Sequence, residues 1–152
     1  MKSSDELNQK VKEIIWSNEI SEPTTGTLIN FIKQYLEELN GIHSVSIHIN
    51  DDKFTENVNL TPTAHKNIYL CVKEAINNAI KYSQASNIDV TFTSQNEHIS
   101  IEIRDNGKGF DISSAINFGG NGLKNIYSRI HEIGGSVSIN SDNTGTAVTL
   151  SI

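Results

Sequence analysis

The stretch EAINNAIKYS, residues 74–83, is helical in composition and spacing, yet it carries a carboxylate, two carboxamides, a lysine and a phenol within nine positions. Stepping about 100° per residue from Glu74, Asn78 falls near about 40°, Lys81 near about −20° and Tyr82 near about 80°. On the same wheel Ile68, Val72, Ala75, Ile76, Ala79 and Ile80 lie between about 100° and 240°. The apolar face can rest on a sheet, which leaves Glu74, Asn78, Lys81 and Tyr82 as a row along one edge with Asn77 just beside it. A solvated helix face with one or two i,i+3 polar pairs accounts for this segment taken alone. A carboxylate and a carboxamide one turn apart can also reach a hard cation such as Mg²⁺, with lysine as a point charge for phosphate oxygens.

Outward from this helix the chain punctuates clearly. Thr61-Pro62 pairs an N-cap hydroxyl with proline at the first helical position, so the helix runs from there to about Tyr82. Upstream, Leu28, Ile32, Tyr35, Leu36 and Leu39 recur at helical spacing and Asn40-Gly41 ends the element. Between these helices HSVSIHIN alternates, and Asn50-Asp51-Asp52 supplies turn chemistry before an expected second strand around residues 54–58, which predicts a hairpin. Downstream, Ile88, Val90 and Phe92, then Ile99, Ile101 and Ile103, alternate as two strands about a polar turn at residues 94–97. A Gly-, Ser- and Asn-rich loop spans residues 105–121, a helix covers 123–133 and stops at Gly134-Gly135, and two last strands carry Val137 and Ile139, then Val148, Leu150 and Ile152. Leu7, Val11, Ile14 and Ile15, with Trp16 beside them, form a further helical stripe at the N-terminus.

This order predicts an α/β two-layer sandwich: a mixed sheet of about five or more strands under three main helices, plus the N-terminal helix, and not a doubly wound fold. Residues 1–20 read as a helix or linker outside the compact unit, and residues 21–152 as one compact domain.

Composition narrows the partners. The 152 residues are 36% hydrophobic and 20% charged, with 12 basic against 18 acidic side chains and a net charge of −6. Such a balance argues against electrostatic capture of nucleic acid or an anionic membrane surface. Cys71 is the only cysteine, which fits a reducing compartment, and no apolar run reaches the roughly 18 to 20 residues that span a bilayer. The expected location is cytoplasmic, with the full-length protein open to a membrane anchor elsewhere.

Two glycine segments join the helix edge. DNGKGFD, residues 105–111, follows directly on the strand ISIEIR, so Asp105 closes a strand while Gly107 and Gly109 permit tight backbone turns. An Asn-Gly hairpin turn is the plain alternative, but two glycines, an aromatic and a second aspartate exceed what a two-residue turn needs. FGGNGLKNI places Gly119, Gly120 and Gly122 just before a helix, where backbone amides and the dipole favour an anion. A dinucleotide fingerprint would need glycine at position 125, which is Asn125.

Together these segments resemble the nucleotide-binding domain of the ATPase superfamily shared by gyrase, the Hsp90 chaperone, sensor histidine kinases and the MutL repair protein. EAINNAIKYS resembles its N box, DNGKGFD its G1 box, GGNGL its G2 box and Gly145-Thr146 its final Gly-Thr element. The short step from G1 to G2 and the run GLKNIYSRIHEIGGSVSI are similar to sensor histidine kinases, and glutamate at the first N-box position to the NarX-like and LytS-like branches. KVKEIIWSNE, residues 10–19, is similar to the end of the second dimerisation helix of such kinases, which makes residues 1–20 the end of that helix or a linker.

The resemblance implies a Bergerat-type fold that binds ATP with Mg²⁺, and a role for each matching residue. Asn78 would hold the metal, and Lys81 and Tyr82 would lie against the phosphates. Asp105 would accept from the adenine amino group, with Gly107 and Gly109 in the same turn. Gly120, Gly122 and Leu123 would cover the triphosphate in a lid, and Thr146 would help seat adenine. Glu74 would polarise the attacking group or help place the metal. The implied partners are the dimerisation and phosphoacceptor helices of a longer kinase and, indirectly, a response regulator, because the acceptor histidine of that family lies on a segment not found before Leu7. His131-Glu132 imitates the acceptor pair but falls on the helix after the G2 box. His43, His48, His65 and His98 show no metal-ligand spacing. A serine kinase of the anti-sigma type and a non-catalytic, nucleotide-gated interaction module are the alternatives.

Overall fold

The computed structural model describes residues 22–40, 44–109 and 122–152, so the N-terminal stripe, Gly41 of the expected helix stop and residues 110–121 of the glycine-rich loop lie outside the described residues. Helix α1, Thr25–Asn40, buries Leu28, Ile29, Ile32, Leu36 and Leu39 on one side. Strand β1, Ser46–Lys53, follows, then helix α2, Pro62–Tyr82, strands β2, Asn87–Gln95, and β3, His98–Asp105, helix α3, Gly122–Glu132, and strands β4, Ser136–Asp142, and β5, Gly145–Ser151. The strands form one mixed sheet in the order β1-β2-β3-β5-β4, parallel only between β1 and β2.

Period-two alternation does what the sequence predicts. Ile88, Val90 and Phe92 on β2, Ile99, Ile101 and Ile103 on β3, and Val148 and Leu150 on β5 are buried in one cluster with the apolar faces of α1, α2 and α3. The opposite sheet face presents His48, Asp89, Arg104, Ser138 and Asn140 to solvent. Polar residues suit an uncovered face, so the layer arrangement follows from the strand pattern itself. Thr61 caps α2 by accepting from the Ala64 amide at 3.0 Å, with Pro62 at the first helical position. The β2–β3 turn runs through positive φ at Asn96 and Glu97, the geometry of a tight hairpin loop.

The expected hairpin at residues 45–58 does not form. Strand β1 continues through Asn50-Asp51-Asp52 with a register irregularity, and Lys33 of α1 holds the Asp51 carboxylate at 2.8 Å. The following segment pairs instead with the chain entering α1: the Thr25 amide donates to Val58 O and the Leu60 amide to Pro23 O, each at 2.9 Å. Strand β1 is therefore an edge strand parallel to β2, and α2 is the crossover that parallel pairing requires. Turn-forming residues were present, but a better-placed partner for residues 55–60 lay far away in sequence.

Helices α2 and α3 are joined by more than apolar contact. The buried Asn67 carboxamide donates to Arg129 O at 2.9 Å and to the Glu132 carboxylate at 3.1 Å. The buried Cys71 thiol donates to Ile126 O at 3.7 Å, and burial pushes it up to about 12, which leaves it unreactive at neutral pH. Gly134, at φ 80°, ends α3, and the Gly135 amide returns to Ile130 O at 2.9 Å.

Candidate functional site

Strand β3 is apolar on its inward face up to Ile103, and the next inward position is Asp105. The sheet thus delivers a carboxylate, only 7% exposed, at the end of a hydrophobic row beside the C-terminus of α2. A buried carboxylate needs hydrogen-bond partners. Asp105 Oδ1 accepts from the Gly107 amide at 2.9 Å and from the Thr146 amide at 3.3 Å. The strand end, the glycine turn and the Gly-Thr element are thereby gathered on one atom.

The glycines explain themselves by close approach. A Cβ at Gly107 would strike the Ser83 carbonyl at the end of α2, and one at Gly145 would strike the Asp105 carbonyl. Gly109, at φ 73°, lies against the Asp142 carbonyl. The Thr146 hydroxyl, buried, shares a 2.8 Å hydrogen bond with Ser141 of β4.

At the other end of the helix edge, Gly122 opens α3 directly over Glu74 and Asn78. A Cβ there would run into the Glu74 carboxylate and stand 3.2 and 3.3 Å from the Asn78 carboxamide atoms. The first amides of α3 have no partner within the helix, and its dipole is positive at this end. A carboxylate, a carboxamide and a helix N-terminus therefore meet at one place, a set suited to a hard cation and an anion together. Lys81 and Tyr82, both exposed, continue the edge toward Asp105, with Tyr82 55% exposed.

The expected site residues thus form two groups, Glu74, Asn78 and Gly122 in one and Asp105, Gly107, Gly109 and Thr146 in the other, with Lys81 and Tyr82 exposed near the end of α2. Gly120 lies outside the described residues. The Leu123 side chain is 5% exposed and packs in the core, so only its backbone can face a ligand. Among the described residues no group of three or more histidine, cysteine or acidic side chains is placed to hold a metal ion.

Asn77 leaves the row. Its Oδ1 accepts from the Tyr35 hydroxyl of α1 at 3.1 Å, and burial, reinforced by nearby Tyr69, raises that phenol well above its usual range. Asn106 and Ser83, which the sequence did not single out, flank the Asp105 group: Asn106 Oδ1 accepts from the Ser86 and Asn87 amides, and the Ser83 carbonyl accepts from the Lys108 amide. The visible signal was the asparagine inside DNGKG and the serine closing EAINNAIKYS.

Residues 63–152 match the family described as histidine kinase-, DNA gyrase B-, and HSP90-like ATPase. The chain is 34% identical over 93 residues to sensor histidine kinase YvfT of Bacillus subtilis (strain 168), a match covering 61% of this chain and 24% of YvfT. It is 35% identical over 91 residues to the signal transduction histidine-protein kinase/phosphatase DegS of the same strain, covering 58% of this chain and 23% of DegS. The alignment spans about a quarter of each relative's length. In fold it is similar to the catalytic domain of histidine kinase ThkA, with TM-score 0.70 at 18% identity, over 87% of this chain and 94% of that one.

Proposed function

The chain belongs to the family of histidine kinase-, DNA gyrase B-, and HSP90-like ATPases, and from that premise we propose that it is the catalytic part of a two-component sensor histidine kinase. It carries an ATP-binding domain homologous to those of sensor histidine kinases. In the proposed reaction the γ-phosphate of ATP passes to a histidine on a dimerisation helix, and from there to a response regulator in a cytoplasmic phosphorelay. One observation carries the reading: Gly122 closes on Glu74 and Asn78 at one end of the α2 edge, while Asp105 binds the Gly107 and Thr146 amides at the other.

Each residue then has a task. Asp105 accepts from the exocyclic amino group of adenine, where guanine would present a carbonyl and be refused. Thr146, held by Ser141, seats the base from beside it. Lys81 and Tyr82 border the phosphates, and the amides opening α3 face their negative charge. Oxygen donors at Asn78 and Glu74 fit Mg²⁺, Asn78 as the ligand, with the remaining positions left to phosphate and water. Bound there, the ion would neutralise phosphate charge. Glu74, next to Asn78, polarises the attacking group or helps place the metal.

Labelled ATP separates this reading from its rivals. Mixed with the chain, a purified dimerisation segment bearing its histidine is expected to become labelled. Label on a candidate anti-anti-sigma protein instead would make the chain a serine kinase, and label on neither would leave a nucleotide-gated interaction module. Relatives named as histidine kinases favour the first outcome.

A further inference from the structure

The two ends of the site belong to different elements. Asn78, Lys81 and Tyr82 ride on the last turns of α2, whereas Asp105 ends β3, and the loop after α2, residues 83–86, passes through positive φ at Gln84. A loop of this kind does not by itself fix the distance between a helix edge and a strand end.

A set of contacts around Asn106 spans the two. Its carboxamide oxygen accepts from the Ser86 amide at 3.0 Å and the Asn87 amide at 2.9 Å, and its carboxamide nitrogen donates to the Ser86 hydroxyl at 2.9 Å. The Asn106 amide donates to Asn87 O at 3.2 Å. On the helix side, Ser83 is 1% exposed; its carbonyl accepts from the Lys108 amide at 2.8 Å, and Gly107 packs too tightly against it to admit a Cβ. Ser86 is braced from behind, because its carbonyl accepts from the Ser46 amide of β1 at 3.0 Å. Asparagine closes this clasp with its two ends, accepting twice at Oδ1 and donating once from Nδ2.

We propose that Asn106 is a positioning residue: clasped to Ser86 and Asn87 beside the buried Ser83 anchor, it sets the separation between the phosphate-binding and adenine-binding halves of the site. The inference rests on the nucleotide reading above and deepens it. Asp105 keeps its own bonds to Gly107 and Thr146 without Asn106, and Asn78 keeps its place on α2. Loosening the clasp therefore leaves each half able to bind its portion of the ligand. What is lost is the gain from binding both portions at once, which depends on the halves standing at the matching distance.

The test uses the 152-residue chain, unaltered and with Asn106→Ala or Ser86→Ala, titrated with adenosine, with magnesium tripolyphosphate and with magnesium ATP. For Asn106→Ala the affinities for adenosine and tripolyphosphate should stay within about two-fold while ATP binds about ten-fold more weakly, the scale of one or two hydrogen bonds of lost preorganisation. Ser86→Ala removes one bond only and should show the same ATP-specific pattern at about two- to three-fold. A merely structural residue would lower the unfolding midpoint and all three affinities in parallel, so parallel loss overturns the proposal. Unchanged ATP affinity overturns it as well. Should Asn106→Ala fail to fold, Ser86→Ala decides by the same criteria. An unaltered chain that binds none of the three ligands would sink the nucleotide reading itself, an outcome distinct from a binding chain whose variants show no ATP-specific loss.

Discussion

At Asp105 a period-two strand ends by burying a charge where its inward row would otherwise place another isoleucine. Two backbone amides support that carboxylate, and the adenine amino group is its proposed ligand. Asp105→Asn keeps the shape and removes the charge, so ATP binding should weaken by about 1.5 to 3 kcal/mol, the scale of a hydrogen bond to a charged group. That is roughly ten-fold or more in affinity, measurable by calorimetric titration. Equal affinities in the two proteins would remove Asp105 from the adenine contact. Asn78→Asp tests the other end: it should change how ATP affinity responds to Mg²⁺ while metal-free ADP binding shifts less. Identical metal titrations would count against Asn78 as a ligand. The positions of both residues, on the α2 edge and at the inward end of β3, were legible in the sequence, because a helical wheel and a strand alternation are local rules. Asn77 was not resolved from its neighbours by the same wheel, since its partner, Tyr35, stands 42 positions away.

Elements meet at the site through glycines, and the atoms they meet differ in how freely they yield. Gly107 faces the backbone carbonyl of Ser83, which caps α2, whereas Gly122 faces the end of the Glu74 side chain. Backbone cannot swing aside, so Gly107→Ala should destabilise the fold by about 1 to 3 kcal/mol, as overpacking does. A Glu74 carboxylate can rotate away, so Gly122→Ala should leave the urea midpoint nearly unchanged and still impair ATP binding by displacing Glu74. Midpoints that move equally in both variants would contradict this division. The element boundaries were largely readable: α2 begins at its capped Thr61-Pro62, and α3 stops at Gly134-Gly135. The exception was the hairpin after β1, where turn chemistry was present but long-range pairing with the entry to α1 won.

Across the whole molecule, His65 couples stability to acid. It is 1% exposed, its Nε2 lies 3.0 Å from the Thr27 hydroxyl and its ring meets Phe31 edge-on at 6.2 Å. Burial pushes its pKa down to about 4. The folded chain therefore holds His65 neutral at pH values where the unfolded chain, near the usual 6.5, already binds the proton. Stability from this source is complete above about pH 6.5, falls as the pH drops toward about 4, and levels off below, with at most about 3 kcal/mol at stake. Urea midpoints for the chain and for His65→Gln at pH 7, 5.5 and 4.5 check this; the slope between the first two should shrink in the variant, and parallel slopes would exclude His65 as its source.

From the sequence alone came the layer class, the identities of helices α1 to α3 and of strands β1 to β5, and the polar edge of α2 with the glycine turn after Asp105, because periodicity, caps and glycine punctuation act over a few residues. Tertiary structure alone decided that β1 runs parallel to β2, that Asn77 turns to Tyr35, that Leu123 faces the core, and that Asn106 clasps the loop after α2. Each of these depends on a partner distant in the chain, and choosing among distant partners is a competition settled only when the whole core has packed.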